Sequence, residues 1–118
     1  STRVDVSTAG NGISHNFPAI AATGNGDVRI SWMDERVNGW WNTYYRSSTN
    51  GGATWSAEMD VSITADISGY TYITADGFRF PFGDYYEMDI DEQGTTHIVM
   101  GEGYSYDTPG SVWYARGK

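Results

Sequence analysis

The sequence has no cysteine and few basic residues, and both absences restrict what the chain does. Without cysteine, neither a disulfide framework nor a cysteine-ligated zinc site is possible. Seven basic residues stand against fifteen acidic ones, which gives a net charge of -8. This balance argues against a nucleic-acid partner, because phosphates attract the opposite charge. No apolar run approaches the roughly 20 residues of a spanning helix, so we do not expect the chain to span a membrane.

Aromatic residues and glycine are abundant: 15% of the 118 residues are aromatic and 15 are glycine, which is typical of short strands joined by tight turns. Apolar and polar residues alternate repeatedly, whereas helical spacing does not persist beyond about one turn. The sequence therefore predicts an all-β chain. The absence of a signal peptide predicts either a processed chain or a piece of a longer one. An acidic chain without cysteine is compatible with an extracellular or periplasmic location.

The first half of the chain contains five predicted strands. They cover residues 3–7, 17–23, 27–34, 40–47 and 58–62. The turn Gly24 to Asp27 has the chemistry of a β-hairpin, because Gly and Asn accept the positive φ that such turns require. In the strand that follows it, Val28, Ile30 and Trp32 are predicted to share one face.

The second half repeats this plan, with predicted strands at residues 84–90, 95–102 and 111–116. A shift of 68 positions aligns Ile30 with Ile98 and Asp34 with Glu102. Few residues are identical, so the repeat is one of pattern.

A shorter self-match links the N-terminus to the end of the first unit. Residues 58–62 read EMDVS and residues 3–7 read RVDVS, with the last three letters identical. If residues 58–62 form the fourth, outer strand of the first unit, residues 3–7 are a fourth strand without a preceding unit. The second unit, in contrast, lacks a fourth strand.

The loop Ser48 to Trp55 fits the pattern S-x-[DN]-x-G-x-[TS]-W. Its short polar side chains, Ser48, Asn50 and Thr54, are suited to hydrogen bonds with turn backbone groups. Gly52 is predicted to take a conformation closed to other residues, with Trp55 packed beneath it. This loop resembles the Asp-box, or bacterial neuraminidase repeat, of sialidase-like β-propellers, with Asn50 where the family usually has Asp.

The flanking sequence is also similar to that family. The similar stretches are PAIA in the second predicted strand, W-x-D-x-R at Trp32 to Arg36, YYRS before the loop, and G-D-Y-x-x-[MI] at Gly83 to Met88. The resemblance implies four-stranded antiparallel blades around a central axis. The whole chain, residues 1–118, would then be one two-blade module.

On this interpretation, residues 16–62 form blade one, residues 63–83 a connecting loop and residues 84–118 blade two without its outer strand. Residues 1–7 would complete a blade of another copy or of a longer parent chain. Two blades cannot close a ring and would leave sheet edges exposed. Three copies would give six blades, and small two-bladed trimeric lectins show that such an assembly is feasible.

A sialidase activity would require arginines that grip a carboxylate, a Tyr/Glu nucleophilic pair and an acid. Arg79, in FRFP, looks like the arginine of the family's x-R-x-P motif. That motif precedes the first Asp-box in sialidases, whereas here it follows one, which favours an ordinary loop arginine. Tyr85, Tyr86 and Glu87 follow one another on a predicted strand, and neighbours on a strand point to opposite faces, so structural tyrosines are favoured over a nucleophilic pair. We therefore assign no catalytic residue.

Ligand-binding candidates lie at strand ends and on aromatic residues. Asp34 and Arg36 close the second predicted strand, and charged residues there are either binding groups or soluble loop residues. Trp40 and Trp41 could stack on sugar rings or pack between blades. The full set of binding candidates is Trp32, Asp34, Arg36, Trp40, Trp41, Arg79, Glu102 and Tyr104.

We predict no cofactor and no metal. Asp89, Asp91 and Glu92 precede Gly94 and invite a calcium site, but a solvated turn is favoured because the spacing is not that of an EF-hand. His15 and His97 are assigned neither to a metal nor to a base.

The sequence thus predicts a non-catalytic module that binds a glycan or a partner protein as an oligomer. The alternatives are a fragment of an exo-sialidase or related glycoside hydrolase, and an architectural subunit of a larger complex.

Overall fold

A computed structural model of the chain describes residues 2–62, 73–74, 77–78, 86–102 and 111–118. Within these residues, strands and turns account for all regular structure, and the predicted all-β class is confirmed. No helix in this described part is long and apolar enough to cross a membrane.

The first sheet contains four antiparallel strands in chain order. They are β1 (His15–Gly24), β2 (Asp27–Val37), β3 (Trp40–Ser48) and β4 (Met59–Asp60). They overlap the strands predicted at residues 17–23, 27–34, 40–47 and 58–62. Asn-Gly pairs with positive φ at both residues make the two hairpin turns, Asn25 and Gly26 between β1 and β2, and Asn38 and Gly39 between β2 and β3.

The second sheet contains three antiparallel strands, also in chain order. A two-residue hairpin of β5 (Ile73–Thr74) and β6 (Gly77–Phe78) comes first, inside the range predicted to be a connecting loop. The second sheet then follows with β7 (Glu87–Ile90), β8 (Thr96–Glu102) and β9 (Ser111–Gly117).

The two sheets share the same pairing register. Three residues lie side by side across the first three strands of each sheet: Ile20, Ile30 and Arg46 in the first, and Met88, Ile98 and Ala115 in the second. The repeat that the sequence predicts with a shift of 68 positions is therefore a repeat of strand pairing.

The core lies between the two sheets, which pack face to face. Met88, Ile98 and Met100 of the second sheet are buried there. The partly buried residues of the first sheet and its C-terminal extension that pack against them are Ala19, Ala21, Tyr45 and Val61. Each buried Met or Ile side chain contributes about 1.5–3 kcal/mol through removal of apolar surface from water.

The side chains of β2 separate into two faces, as the alternation predicts. Ser31 faces the second sheet, where its Oγ lies 3.4 Å from Met88 Sδ. Trp32 faces away and packs on Tyr44 with ring centroids 6.2 Å apart. We call this second surface, formed by Ile20, Ile30, Trp32, Tyr44 and Arg46, the free face of the first sheet.

The predicted strand at residues 3–7 pairs with no strand in the described part of the chain. Residues 6–8 instead lie against the free face, where Arg46 Nη1 donates a hydrogen bond to Val6 O at 2.7 Å.

Candidate functional site

The loop of residues 48–55 and the candidates Asp34, Arg36 and Trp40 lie at opposite ends of the first sheet. Gly51 N donates to Gly26 O at 2.9 Å, so the loop packs against the β1–β2 turn. Asp34 and Trp40 lie beside the β2–β3 turn, at the other end of both strands. The loop therefore makes no contribution to a site at the candidate residues.

The loop supports itself through its own side chains. Ser48 Oγ accepts a hydrogen bond from Gly52 N at 2.9 Å, and Asn50 Oδ1 accepts one from Thr54 N at 2.9 Å. Asn50 Nδ2 donates back to Thr54 Oγ1 at 2.8 Å. A Cβ atom on Gly52, whose φ is 84°, would lie 3.4 Å from the Trp55 ring. Asn50 thus fills an acceptor role that an aspartate would also serve.

A charged cluster lies on the free face at the candidate end. Asp34 has 0% of its surface exposed, and Arg36 grips its carboxylate with two bonds, Nε to Oδ1 at 2.8 Å and Nη2 to Oδ2 at 2.5 Å. Trp32 Nε1 donates to Oδ2 at 2.9 Å, and the Arg36 guanidinium lies 3.8 Å from the Tyr44 ring centroid. Glu58 also accepts a hydrogen bond from Arg36. This set of residues, Trp32, Asp34, Arg36, Tyr44 and Glu58, is the Asp34 cluster.

The charges of the Asp34 cluster stabilise each other. Burial alone would raise the pKa of Asp34, but hydrogen bonds from Arg36 and Trp32 outweigh it and hold that pKa below its usual range. Burial likewise opposes the charge of Arg36, yet Asp34 and Glu58 raise the pKa of its guanidinium. Burial and nearby carboxylates raise the pKa of Tyr44 to about 12. The cluster is therefore a fixed ion pair with a neutral tyrosine at neutral pH.

Arg36 has no N–H left for a ligand. A guanidinium has five N–H donors. Nη1 donates to Glu58 and to Thr8 Oγ1, Nη2 donates to Asp34 and to Ser7 Oγ, and Nε donates to Asp34. Thr8 N and Oγ1 also donate to Glu58 Oε2 and Oε1, both at 2.9 Å. Arg36 and Glu58 thus fasten the N-terminal segment to the sheet.

His15 takes part in the same attachment. Its Nδ1 donates to the Ile13 carbonyl at 2.9 Å, and its Nε2 lies 2.7 Å from Ser7 Oγ and 3.6 Å from Asp34 Oδ2. Ser7 Oγ also accepts hydrogen bonds from Ala9 N and Arg36. Both lone pairs of Ser7 are therefore engaged, which suits a structural hydroxyl better than a nucleophile.

The sequence did not reveal these N-terminal partners. The W-x-D-x-R spacing was a usable signal, since positions two apart on a strand share a face. Nothing local connects Ser7, Thr8 or Glu58 to that face, because their contacts span more than twenty residues of chain.

The tryptophan candidates differ in exposure. Trp32 and Trp41 are buried, so neither ring presents an open face. Trp40 is half-buried beside the β2–β3 turn, opposite Val37. Trp40 is thus the tryptophan candidate that is not fully buried.

The side-chain positions of three binding candidates, Arg79, Glu102 and Tyr104, are not described. Arg79 and Tyr104 lie outside the described residues, as does Tyr85. The backbone of Glu102 closes β8 opposite Ser111, at the place in the second sheet that Asp34 holds in the first.

The acidic stretch before Gly94 forms a turn closed by Asp91. Its Oδ1 accepts hydrogen bonds from Gln93 N at 3.0 Å and Thr95 N at 2.7 Å, and its Oδ2 lies 3.0 Å from His97 Nε2. The Thr95 backbone and His97 lower the pKa of Asp91 to about 2. Among the described side chains, no three His, Asp or Glu residues converge on one point.

Comparisons with protein-family models, with curated proteins and with solved structures found no match to this chain.

Proposed function

We propose that the chain is a non-catalytic, sialidase-like β-propeller module that binds a glycan as part of a larger ring. Two consecutive antiparallel sheets with the same register, packed face to face, support the arrangement of neighbouring blades. The Asp-box-like loop between β3 and β4 supports the family resemblance. The extracellular or periplasmic location is part of this proposal.

The observation that carries the non-catalytic part is the engagement of Arg36. Its five donors are directed at the chain's own groups, so it cannot clamp a substrate carboxylate. Arg29 is likewise bound to Asp27 and to Thr96, and Arg46 is bound to the carbonyls of Val6 and Ser56. These commitments favour a binding module over a fragment of an exo-sialidase.

Charge favours a neutral glycan. A chain with a net charge of -8 repels a sialylated ligand, and the arginines on both faces of the first sheet are already paired. Trp40 is half-buried beside the β2–β3 turn, and the axial C–H face of a neutral sugar packs well on an indole ring. We assign the sugar platform to Trp40.

The test is a glycan array with neutral and sialylated oligosaccharides, followed by titration of tryptophan fluorescence with the best neutral ligand. We expect neutral glycans to bind, and Trp40→Ala to weaken binding by about tenfold, in line with the loss of one stacking contact. Trp55→Phe, at the opposite end of the sheet, is the matched control and should bind normally.

Two results would overturn the proposal. Hydrolysis of a fluorogenic sialoside above the buffer background would make the chain an enzyme. Silence across the array, together with stable co-purification of another protein, would favour a protein-binding or architectural role.

A further inference from the structure

Within the described part of the chain, β9 is the last strand of the second sheet and its outer edge has no pairing strand. In the first sheet, β4 pairs with the outer edge of β3, through Tyr44 with Asp60 and Tyr45 with Met59. β9 holds the same third place in the second sheet, and no strand among the described residues pairs with its outer edge. An open edge presents unpaired N–H and C=O groups, which natural sheets protect or pair.

The register of the first sheet predicts how a missing strand would pair with β9. Ser31 lies opposite Tyr45 in the first sheet, and Val99 lies opposite Tyr114 at the equivalent position of the second. Residue Met59, opposite Tyr45, corresponds to Val4 in the match between EMDVS and RVDVS. A strand of sequence RVDVS would therefore place Val4 opposite Tyr114.

Residues 6–8 already contact the surface that the chain would reach directly after such a strand. In the first unit, Val61 follows β4 and packs on the next sheet, against Met88 and Ile98. Val6, which corresponds to Val61, lies on the free face of the first sheet through the bond from Arg46. Residues 6–8 thus contact the first sheet as the residues after β4 contact the second.

The chain cannot use this strand on its own second sheet. Ser31 and Tyr45 face the second sheet, whereas Arg46 and Arg36, which hold residues 6–8, face away from it. Residues 3–7 therefore leave the first sheet on the side opposite β9, so a strand formed by them does not pair with β9 of the same chain.

We propose that residues 3–7 of a second copy form the fourth strand of the second sheet, with Val4 opposite Tyr114 and Val6 N–H donating to Val112 O. The free face of the second copy's first sheet then covers the far face of the second sheet, formed by His97, Val99 and Tyr114. This inference rests on the proposed propeller module and names the partner that supplies its remaining blades.

The exposed apolar residues support this contact. Val4, Val112 and Tyr114 are 59%, 79% and 56% exposed, and all three lie on the proposed strand pair. Ile20, on the free face, is 67% exposed. Exposed apolar groups that gather on complementary surfaces of one chain mark an interface between copies.

The contact joins two different surfaces, so it repeats head to tail and closes only in a ring. Propellers typically have about four to eight blades, so two to four copies suffice, and three copies give six blades.

The first experiment measures mass by light scattering at micromolar concentration. We expect a discrete particle of two to four 13.0 kDa chains, three for a six-bladed ring.

Thr43 N, the equivalent of Val112 N, points to the outer strand and bonds Ser62 Oγ. Val112→Pro therefore places a proline ring at the outer edge of β9, where it blocks an incoming strand, without loss of a bond to β8, and should give a folded monomer by circular dichroism. Val112→Thr keeps the donor and should assemble. If the unsubstituted chain is a monomer, the proposal is overturned.

The second experiment tests the register and does not depend on the proline variant. The chain lacks cysteine, so introduced thiols have no competitors. Val4→Cys with Tyr114→Cys should form covalent ladders of two or more chains under mild oxidation, since directly opposed strand residues lie within disulfide range. Val4→Cys with Gln93→Cys is the control and should stay monomeric on a denaturing gel. Equal cross-linking in both variants overturns the register.

Assembly and glycan binding fail separately. A ring that binds no glycan leaves this inference standing and removes the proposed function. A monomer that binds glycan overturns this inference and leaves the proposed glycan binding standing.

Discussion

At the scale of single residues, Asp34 decides how the free face is built. Its carboxylate is buried, accepts two bonds from the Arg36 side chain and one from Trp32, and together with Glu58 compensates the charge of the partly buried Arg36. A buried ion pair contributes little in net terms, because desolvation cancels most of the attraction. Loss of one partner is costly, since the other charge remains buried without compensation.

Asp34→Asn should therefore destabilise the fold by about 3 kcal/mol at pH 7, with Glu58 as the remaining partner of Arg36. Because the folded-state pKa of Asp34 is lowered, its contribution is complete above the unfolded value of about 3.9 and is lost as the pH falls below it. Urea unfolding at several pH values measures this, and the gap between wild type and variant should close in acid. Glu92→Gln, in an exposed turn, is the control; a gap that does not depend on pH would contradict the assignment.

At the scale of elements, the β1–β2 turn and the loop of residues 48–55 are joined through close backbone contact. Gly26 has φ 85°, and a Cβ atom there would lie 2.8 Å from Thr49 O. Gly24 has φ 94° but open space around it. The two glycines thus separate the cost of backbone conformation from the cost of a clash.

Gly24→Ala should cost about 1–2 kcal/mol, the penalty of a left-handed conformation for a residue with a Cβ. Gly26→Ala should cost about 1–3 kcal/mol more, because Thr49 O must move and the bond from Gly51 N to Gly26 O weakens. Thermal unfolding of the two variants compares them directly. Equal losses of stability in the two variants would show that the loop of residues 48–55 moves away from the added Cβ atom at no cost in free energy.

Short-range sequence patterns predicted most of the strands, but they did not predict the contacts between segments that are distant in the chain. Alternation located β2 and β8 well, and the Gly and Asn residues between Gly24 and Asp27 located the β1–β2 turn. The irregularity between Asn16 and Ala19, where Phe17 has φ 52°, had no local signal, because a bulge depends on how β1 meets β2. The Asp34 cluster was predicted in part, as a charged strand end, but its attachment to Ser7 and Thr8 depends on the folded chain.

At the scale of the whole molecule, the two sheets depend on one core. Met88, Ile98 and Met100 of the second sheet are buried in part by Ala19, Ala21 and Tyr45 of the first sheet. Polar bonds cross the same boundary, from Arg29 Nη1 to Thr96 Oγ1 at 2.6 Å and from Tyr45 OH to Thr96 Oγ1 at 3.1 Å. Because the two sheets share this core, we expect them to unfold together in one cooperative transition.

Met100→Ala tests this dependence, because Met100 has 0% exposure and belongs to the shared core. We expect a loss of about 2–5 kcal/mol, typical of a large core side chain cut to alanine. Met59→Ala is the matched control, since Met59 on β4 is 55% exposed, and it should cost less than about 0.5 kcal/mol. Amide hydrogen exchange reports each sheet separately: β2 and β3 should lose protection together with β8. If β2 and β3 kept full protection while β8 opened, the first sheet would be stable alone and the shared core would not be what holds it.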